Sequence, residues 1–231
     1  PDNKNKYIKK FKNKNCVIMS FLKGKKLKKV SEKHCVQLGK ELANMHKHTK
    51  DFRKKRKNDL SQSNWIELFK ICKKNKDKTY NGLLKNIEKE LIHLKLNWPK
   101  KLPKGVIHAD VFQDNVFYIK NDLSGLIDFY FACNDFYAYE LAICINAWCF
   151  DKKINFDKSK YNNLIKGYQK IRKLSSKELK NLRILSRGAA MRFFLTRLHD
   201  HLFHEKKAFV KPKNPMEYYK ILSFHQNNDV F

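Results

Sequence analysis

One stretch of the chain, residues 105–132, limits its fold and its chemistry more than any other. Its sequence is GVIHADVFQDNVFYIKNDLSGLIDFYFA. It places His108, Asp110 and Asn115 on one short loop and adds Asp128 beyond a predicted hairpin. An acid, an amide five residues later and a second acid after a hairpin are the polar groups that a kinase-type phosphoryl transfer requires. The stretch therefore predicts a catalytic loop supported by a small β-structure.

Apolar residues on both sides of this loop predict the structure that holds it. Val106 with Ile107, and Leu126 with Ile127, are short apolar runs of the kind that form buried strands. Residues 139–148, YELAICINAW, are apolar nearly all round, which is typical of a helix in the centre of a domain. We therefore expect one small strand pair at the heart of a mostly helical α+β domain.

The spacing of apolar residues elsewhere predicts further helices. Ser31 can cap a helix in which Cys35, Leu38, Leu42 and Met45 recur at helical intervals. By the same criterion, helices are predicted around residues 83–94, 161–171 and 179–202, with a short last helix beginning at Pro215.

Two segments are predicted to be non-helical. Residues 16–22, CVIMSFL, form a short apolar run followed by Gly24, which predicts a buried strand that leads into a turn. Residues 50–63 are polar, very basic and aperiodic, which predicts a surface loop.

Length and composition favour a single folded domain. The chain has 231 residues, of which 42% are hydrophobic. A net charge of +29 would ordinarily suggest a nucleic-acid or anionic-membrane partner. Here, however, 44 Lys accompany only 7 Arg and occur in nearly every segment, whereas nucleic-acid-binding faces favour Arg and concentrate their charge. A general bias toward Lys accounts for this pattern, and we expect no specific nucleic-acid partner.

The cysteines and the apolar stretches indicate the compartment. The six cysteines show no CxxC spacing and lie mostly in apolar runs. This pattern predicts small buried hydrophobic residues in a reducing compartment rather than a disulfide framework or a zinc site. The longest apolar stretch, residues 141–150, is too short to span a bilayer. We therefore expect a cytoplasmic protein without a membrane partner.

The polar residues of the opening stretch are suited to different tasks of phosphoryl transfer. Asp110 can accept or orient the proton of a substrate hydroxyl. Asn115 offers a neutral oxygen and Asp128 an anionic one, and both are hard ligands of the kind that suit Mg²⁺ bound to ATP. His108, two residues before the acid, is placed to brace the loop.

The pattern His-x-Asp-x4-Asn followed by Ile-Asp-Phe resembles that of the aminoglycoside phosphotransferase and choline kinase superfamily. Within that superfamily the chain is similar to the homoserine kinases, and the similarity extends along its whole length. This resemblance implies a protein-kinase-like α+β fold, mainly the helical carboxyl-terminal lobe with a small catalytic hairpin. The segments that carry the closer resemblance are residues 105–117, 123–150, 187–200 and 213–226.

The resemblance also implies a role for each polar residue of the loop and its surroundings. Asp110, assisted by His108, is the implied catalytic base, and Asn115 and Asp128 are the implied ligands of Mg²⁺. Glu140 falls where the superfamily has an Asp that buttresses the catalytic loop.

Substrate and nucleotide contacts are implied at further positions. Asp135 belongs to the acidic pair that follows the metal-binding Asp, and it is a candidate substrate residue. Homoserine carries a carboxylate, and the candidates to bind it are Arg187, Arg192 and Arg197. Residues 16–22 match the hinge between the two lobes, where the adenine of ATP would meet Met19, Ser20, Phe21 and Leu22.

The glycines bear on the extent of the fold. All seven are isolated, so this chain contains no Gly-rich phosphate loop. The kinase fold places such a loop, and a strand Lys, before the hinge. We therefore expect residues 1–24 to be a remnant of the smaller lobe and hinge, and residues 25–231 to form the helical lobe. We also expect this chain alone to bind nucleotide poorly and to turn over little.

The activity implied by the resemblance is phosphorylation of the hydroxyl of homoserine by ATP with Mg²⁺, giving O-phosphohomoserine for threonine biosynthesis. Three alternatives stay open. The chain could be a kinase of another small alcohol, such as choline or an aminoglycoside. It could be a basic nucleic-acid-binding protein, or a short inactive kinase-like binding module.

Overall fold

The computed structural model describes residues 7–75, 80–205 and 211–231 and is mainly helical, as the sequence predicts. None of the helices in these ranges is long and apolar enough to cross a membrane. The strands are β1 (Lys9–Phe11), β2 (Lys14–Cys16), β3 (Lys104–Ile107), β4 (Val116–Ile119), β5 (Asp122–Leu126) and β6 (Cys133–Phe136). The helices are α1 (Glu32–His48), α2 (Gln62–Lys74), α3 (Asn81–Asn97), α4 (Tyr137–Trp148), α5 (Lys158–Gln169), α6 (Ser176–Lys180), α7 (Leu182–Leu202) and α8 (Met216–Asn227).

Helix α4 forms the centre of the domain. It packs against α7, which in turn contacts α2, α3 and α8. Nearly all of its residues are buried, in agreement with the apolar pattern of the sequence. Its last residue, Trp148, donates a hydrogen bond from Nε1 to the carbonyl of Val111 at 2.8 Å. The central helix therefore also fixes the loop that follows β3.

Helices α1 and α5 approach each other through two glycines. A Cβ atom at Gly39 would lie 2.1 Å from the carbonyl oxygen of Leu164. A Cβ atom at Gly167 would lie 2.1 Å from the carbonyl oxygen of Val36. Because no side chain fits at either position, the two backbones are in direct contact along this line.

Two strand pairs lie beside the helices, whereas the sequence predicts one. β4 pairs antiparallel with β5, and β3 pairs antiparallel with β6. The β3–β6 pair was not predicted because the loop and the β4–β5 hairpin separate its two strands in the sequence. The loop that leaves β3 at Ile107 and enters β4 at Val116 is thus held at both ends by paired strands.

The predicted helices are confirmed, except that the helix predicted over residues 179–202 is divided at Asn181 into α6 and α7. In addition, α2 is absent from the predictions. Residues 50–63 are predicted as a loop, and the structure begins a helix at Gln62. This helix buries Trp65, Phe69 and Cys72, which recur at intervals of four and three residues. The helical spacing of these apolar residues was therefore present in the sequence, although the basic residues among them make it less apparent.

The buried strand predicted at residues 16–22 is wrong. β2 ends at Cys16, and in the residues that follow Ile18 is 99% exposed and Phe21 is 88% exposed. In the described part of the chain, β1 and β2 pair only with each other. An apolar run becomes a buried strand only when a partner satisfies its backbone and covers its side chains, and these residues have no such partner strand in the described ranges.

Five of the six cysteines are buried and unpaired, as predicted, whereas Cys16 is exposed. Burial raises the pKa of the Cys35 thiol to about 12. These cysteines therefore serve as small core residues.

The contact between α1 and α5 yields a stability prediction. We expect Gly39→Ala to lower the free energy of unfolding by about 2–3 kcal/mol, because the added methyl group forces the two backbones apart. Gly82→Ala in α3 is the matched control, since its Cβ would meet nothing within 4 Å. It should leave stability unchanged or raise it by up to about 1 kcal/mol. Urea unfolding measures both, and equal losses would contradict the close approach.

Candidate active site

Three of the predicted site residues come together at the open end of the β4–β5 hairpin. Asp110 and Asn115 lie on the loop between β3 and β4, and Asp128 follows β5 after one residue. The backbone N–H of Ile127 donates to the carbonyl of Asn115 at 3.0 Å. Asn115 and Asp128 are therefore neighbours across the end of the hairpin, next to the loop that carries Asp110.

Asn115 is hydrogen-bonded directly to Asp110. Its Nδ2 donates to the Asp110 carbonyl at 2.9 Å and to Asp110 Oδ2 at 3.2 Å. These bonds use the donor side of the amide. Its Oδ1 accepts no hydrogen bond within the described ranges and stays available as an oxygen ligand.

His108 braces the loop through both ring nitrogens. Its Nδ1 accepts the backbone N–H of Asp110 at 3.3 Å, and its Nε2 lies 2.8 Å from the carbonyl of Ile127. A neutral ring protonated at Nε2 satisfies both contacts. The side chain is fully buried. It thus connects the loop carrying Asp110 to the strand that leads into Asp128.

Glu140 of α4 supports the same loop from below. Its carboxylate accepts the backbone N–H of His108 at 2.6 Å and that of Ala109 at 2.8 Å. Ala109 has φ = 64°, a left-handed conformation that costs a residue with a side chain roughly 1–2 kcal/mol. Its carbonyl in turn accepts Nη1 of Arg192 at 2.7 Å. The strained residue is therefore held on both sides.

Glu140 is fully buried and has its own partners. Nε2 of His46 lies 3.5 Å from Glu140 Oε2, and Nδ1 of His46 lies 2.7 Å from the hydroxyl of Tyr168. Burial by itself would raise the pKa of Glu140. The nearby His46 ring and the backbone N–H of His108 outweigh burial and hold that pKa below its ordinary value. The carboxylate under the loop is thus ionised at neutral pH.

The pKa of Asp110 is shifted the opposite way. Burial raises the pKa of its carboxyl, the charge of Arg192 lowers it, and Asp128 and Asp114 raise it again, with a net rise. A raised pKa strengthens a carboxylate as a proton acceptor. Asp110 therefore combines the position and the basicity that a general base requires.

Asp128 has the features of a metal ligand. It is exposed and begins a short 3₁₀ turn with φ = 64° and ψ = 59°. Its carboxylate forms no ion pair with the described residues. With Asn115 Oδ1 it offers one anionic and one neutral oxygen, which fits Mg²⁺ because that ion keeps several waters. In the described ranges, here as elsewhere, no group of three or more His, Cys, Asp or Glu side chains could hold a metal.

The predicted adenine-contacting residues lie beside the catalytic hairpin. Leu22 packs against Gly125 of β5, and Lys25 forms a bridge with Tyr118 of β4. Met19 and Phe21 are 76% and 88% exposed, and Ser20 is exposed as well. The segment therefore passes next to the site with its side chains uncovered.

The candidate substrate residues have different surroundings. Arg187 forms a two-pronged ion pair with Glu90 of α3, at 2.7 and 2.6 Å, so the structure commits it to joining helices. Arg192 is 1% exposed beneath the loop. Arg197 is paired with Glu217 of α8 at 2.7 Å and faces a cleft. Of the three, Arg197, which is 8% exposed, is the one that lines the cleft beside the loop.

Asp135 is anchored rather than free. Its Oδ2 accepts Nδ2 of Asn58 at 2.7 Å, and its Oδ1 accepts the backbone N–H of Phe136 at 2.8 Å. Burial raises the pKa of Asp135, and these two hydrogen bonds oppose the rise. Its role toward the substrate stays a prediction.

Sequence reasoning missed two residues that support the site. His46 lies four residues after Leu42 on the buried face of α1, so the helical spacing that identified Leu42 could have found it. Asn58 is buried although it belongs to a basic loop. No local pattern marks Asn58, because its partner Asp135 is distant in sequence.

A sequence model of the phosphotransferase enzyme family matches residues 8–174. The chain belongs to this family. Related sequences include a homoserine kinase of Parvibaculum lavamentivorans and one of Agrobacterium fabrum, each 49% identical over 209 residues. These matches cover 90% of this chain and 65% of each relative, so the chain spans just under two thirds of their length.

Solved structures of distantly similar sequence share the fold. An amicoumacin kinase in complex with AMP-PNP, Ca²⁺ and Ami matches with a TM-score of 0.66 at 13% identity, covering 97% of this chain and 69% of that one. An ethanolamine kinase of Plasmodium vivax matches with a TM-score of 0.64 at 17% identity, covering 97% and 68%. The predicted protein-kinase-like fold is thus confirmed.

The buried Glu140 yields a prediction about acid stability. Because its folded-state pKa lies below the ordinary 4.5, its contribution is present above pH 4.5 and is lost as pH falls through the folded-state value. We expect Glu140→Gln to lower the free energy of unfolding at pH 7 by about 3 kcal/mol, because one loop N–H and His46 lose their partner. The part of the pH dependence of the free energy of unfolding that comes from the Glu140 carboxyl group should also disappear.

Urea unfolding between pH 3 and pH 7 measures this effect. Glu67→Gln is the control, because Glu67 forms an exposed pair with Lys70 at 2.9 Å and should contribute less than about 0.5 kcal/mol. A loss for Glu140→Gln no larger than that of the control would contradict the assigned role.

Proposed function

We propose that the protein phosphorylates the hydroxyl of homoserine, using ATP and Mg²⁺, to give O-phosphohomoserine. The observation that carries this proposal is the grouping of Asp110, Asn115 and Asp128 at one end of the hairpin. The homoserine kinase relatives, 49% identical over 90% of the chain, support homoserine as the acceptor. Because the chain spans 65% of their length, the activity of the whole protein is inferred rather than observed.

In this proposal Asp110 is the general base. It accepts the proton of the homoserine hydroxyl as that oxygen attacks the terminal phosphorus of ATP, and ADP leaves with the bridging oxygen. Its position is set by Asn115, which donates to it, and by His108, which receives its backbone N–H. The raised pKa of Asp110 makes its carboxylate a stronger proton acceptor in this transfer.

Asn115 Oδ1 and the Asp128 carboxylate are the proposed ligands of Mg²⁺. When bound with ATP, the ion would neutralise the negative charge on the phosphates. Asp128 makes no ion pair with the described residues, so metal binding need not break a protein contact. The backbone bond between Ile127 and Asn115 keeps the two ligands together.

The remaining assignments complete the proposal. Met19, Ser20, Phe21 and Leu22 are the proposed adenine contacts. The exposure of Met19, Ser20 and Phe21 and the contact of Leu22 with Gly125 of the hairpin support this placement. We propose that residues 1–24 belong to the smaller lobe and hinge and residues 25–231 to the helical lobe. The reducing environment inferred from the buried cysteines supports a cytoplasmic location.

Two substitutions test the proposed roles separately. In the complete enzyme, we expect Asp110→Asn to lower kcat for homoserine phosphorylation by about 10²–10⁴-fold while barely changing nucleotide affinity, because it removes the base alone. Asp128→Asn should mainly weaken Mg²⁺–nucleotide binding, because it removes an anionic ligand. Homoserine-dependent ADP release and a nucleotide titration at several Mg²⁺ concentrations measure the two effects.

Asp122→Asn is the matched control. Asp122 lies on the same hairpin but is exposed and paired with Lys33 at 3.4 Å, so kcat and nucleotide affinity should stay unchanged. Normal turnover by Asp110→Asn, or identical behaviour of the two site variants, would refute the roles. Phosphorylation of choline or an aminoglycoside in place of homoserine would refute the proposed acceptor.

A further inference from the structure

A cleft of about 390 Å³ opens beside the catalytic loop, on the side of Phe112. Its walls come from the loop, the end of α4, Arg197 of α7 and the start of α8. We call it the α8 cleft. Its charged lining includes Asp114, Asp151, Lys152, Arg197, Lys213 and Glu217. Phe112 lies only two residues from Asp110, so the cleft begins next to the proposed base.

Two cations stand over the ring of Phe112. The guanidinium of Arg197 lies 5.9 Å and the ammonium of Lys213 lies 5.2 Å from the ring centroid. Both distances are within the range of cation–π attraction. The aromatic ring of the catalytic loop therefore holds two positive groups near the entrance to the proposed base.

Arg197 has donors to spare. Both of its hydrogen bonds use Nη1, which donates to Glu217 at 2.7 Å and to the carbonyl of Asn214 at 3.4 Å. Its Nε and Nη2 groups make no hydrogen bond with the described residues. The guanidinium fork is thus only half used, and its free side can take a carboxylate.

Lys213 is held loosely. Its Nζ lies 3.3 Å from Asp114 Oδ2, and both side chains are more than half exposed. Such an exposed pair contributes little stability and exchanges partners readily. A ligand carboxylate can therefore take the place of Asp114 beside Lys213 at small cost.

The cleft matches a zwitterion. Each of the two cations over Phe112 is paired with an anion, Lys213 with Asp114 and Arg197 with Glu217. An α-amino acid brings one carboxylate and one ammonium, so it can enter between these pairs without leaving a charge uncompensated. A substrate that is only cationic would leave the two basic side chains unmatched.

We propose that Arg197 and Lys213 bind the carboxylate of the acceptor amino acid, with Asp114 and Glu217 facing its ammonium group. This assignment rests on the proposed function and specifies which side chains select homoserine. Homoserine carries its hydroxyl two carbons beyond the α-carbon. A carboxylate bound at Phe112 therefore keeps the hydroxyl close to Asp110.

Two analogues separate the charges of the substrate. 3-Aminopropanol is homoserine without its carboxylate, and 4-hydroxybutyrate is homoserine without its ammonium group. Isothermal titration calorimetry on the 231-residue chain measures the affinity for each, independently of turnover. We expect homoserine to bind at least tenfold more tightly than 3-aminopropanol, because the carboxylate contacts two cations.

Substitutions then locate the selectivity. Arg197→Gln and Lys213→Gln should each reduce the affinity ratio of homoserine to 3-aminopropanol about tenfold, and Lys213→Arg should restore it. Lys220→Gln, at an exposed position on the same α8, is the control and should leave the ratio unchanged. Because a ratio is compared within one protein, a partial loss of folded protein does not alter it.

The possible results are distinguishable. Any one of three results overturns the subsite. These are an unchanged affinity ratio in both Gln variants, equal affinity of the natural protein for homoserine and 3-aminopropanol, and the absence of homoserine binding. If homoserine is nevertheless phosphorylated, the proposed function stands without it. Phosphorylation of choline instead of homoserine overturns both.

Discussion

The Glu140 carboxylate is fully buried and accepts the backbone N–H groups of His108 and Ala109, at 2.6 and 2.8 Å. An ionised group in this position needs a partner, and His46 provides it from α1. His46 is in turn bonded to Tyr168 of α5. The close contact of α1 and α5 at Gly39 and Gly167 thus also supports the loop. The two glycines let the helices meet beneath it, and His46 of α1 and Tyr168 of α5 stabilise the loop through Glu140.

Strain is concentrated at the same place. Ala109 and Asp128 both have φ = 64°. Ala109 directly precedes the proposed base Asp110, and Asp128 is itself a proposed metal ligand. Such conformations persist where the surroundings determine them. Ala109 is fixed on one side by Glu140 and on the other by Arg192. The loop is therefore preorganised by side chains that do not themselves face the substrate.

Electrostatics divides the basic residues into distinct groups. Most of the +29 net charge comes from lysines spread over the surface, and it says little about function. Three arginines of α7 are different, because each has a specific partner: Arg187 with Glu90, Arg192 with the Ala109 carbonyl, and Arg197 with Glu217. Only these contacts show that Arg187 joins helices, that Arg192 supports the loop and that Arg197 faces a cleft.

The sequence by itself determined the catalytic loop, the central helix and most other helices, because each depends on the order and spacing of residues that are close along the chain. Tertiary structure decided the rest. The β3–β6 pair, the exposure of residues 17–21, the partnership of His46 with Glu140 and the burial of Asn58 all depend on groups far apart in sequence. A local pattern shows which residues can be polar ligands or apolar core. Whether such a residue finds a hydrogen-bond partner or a buried position is decided only in the folded chain, because hydrogen bonds and burial require atoms in contact.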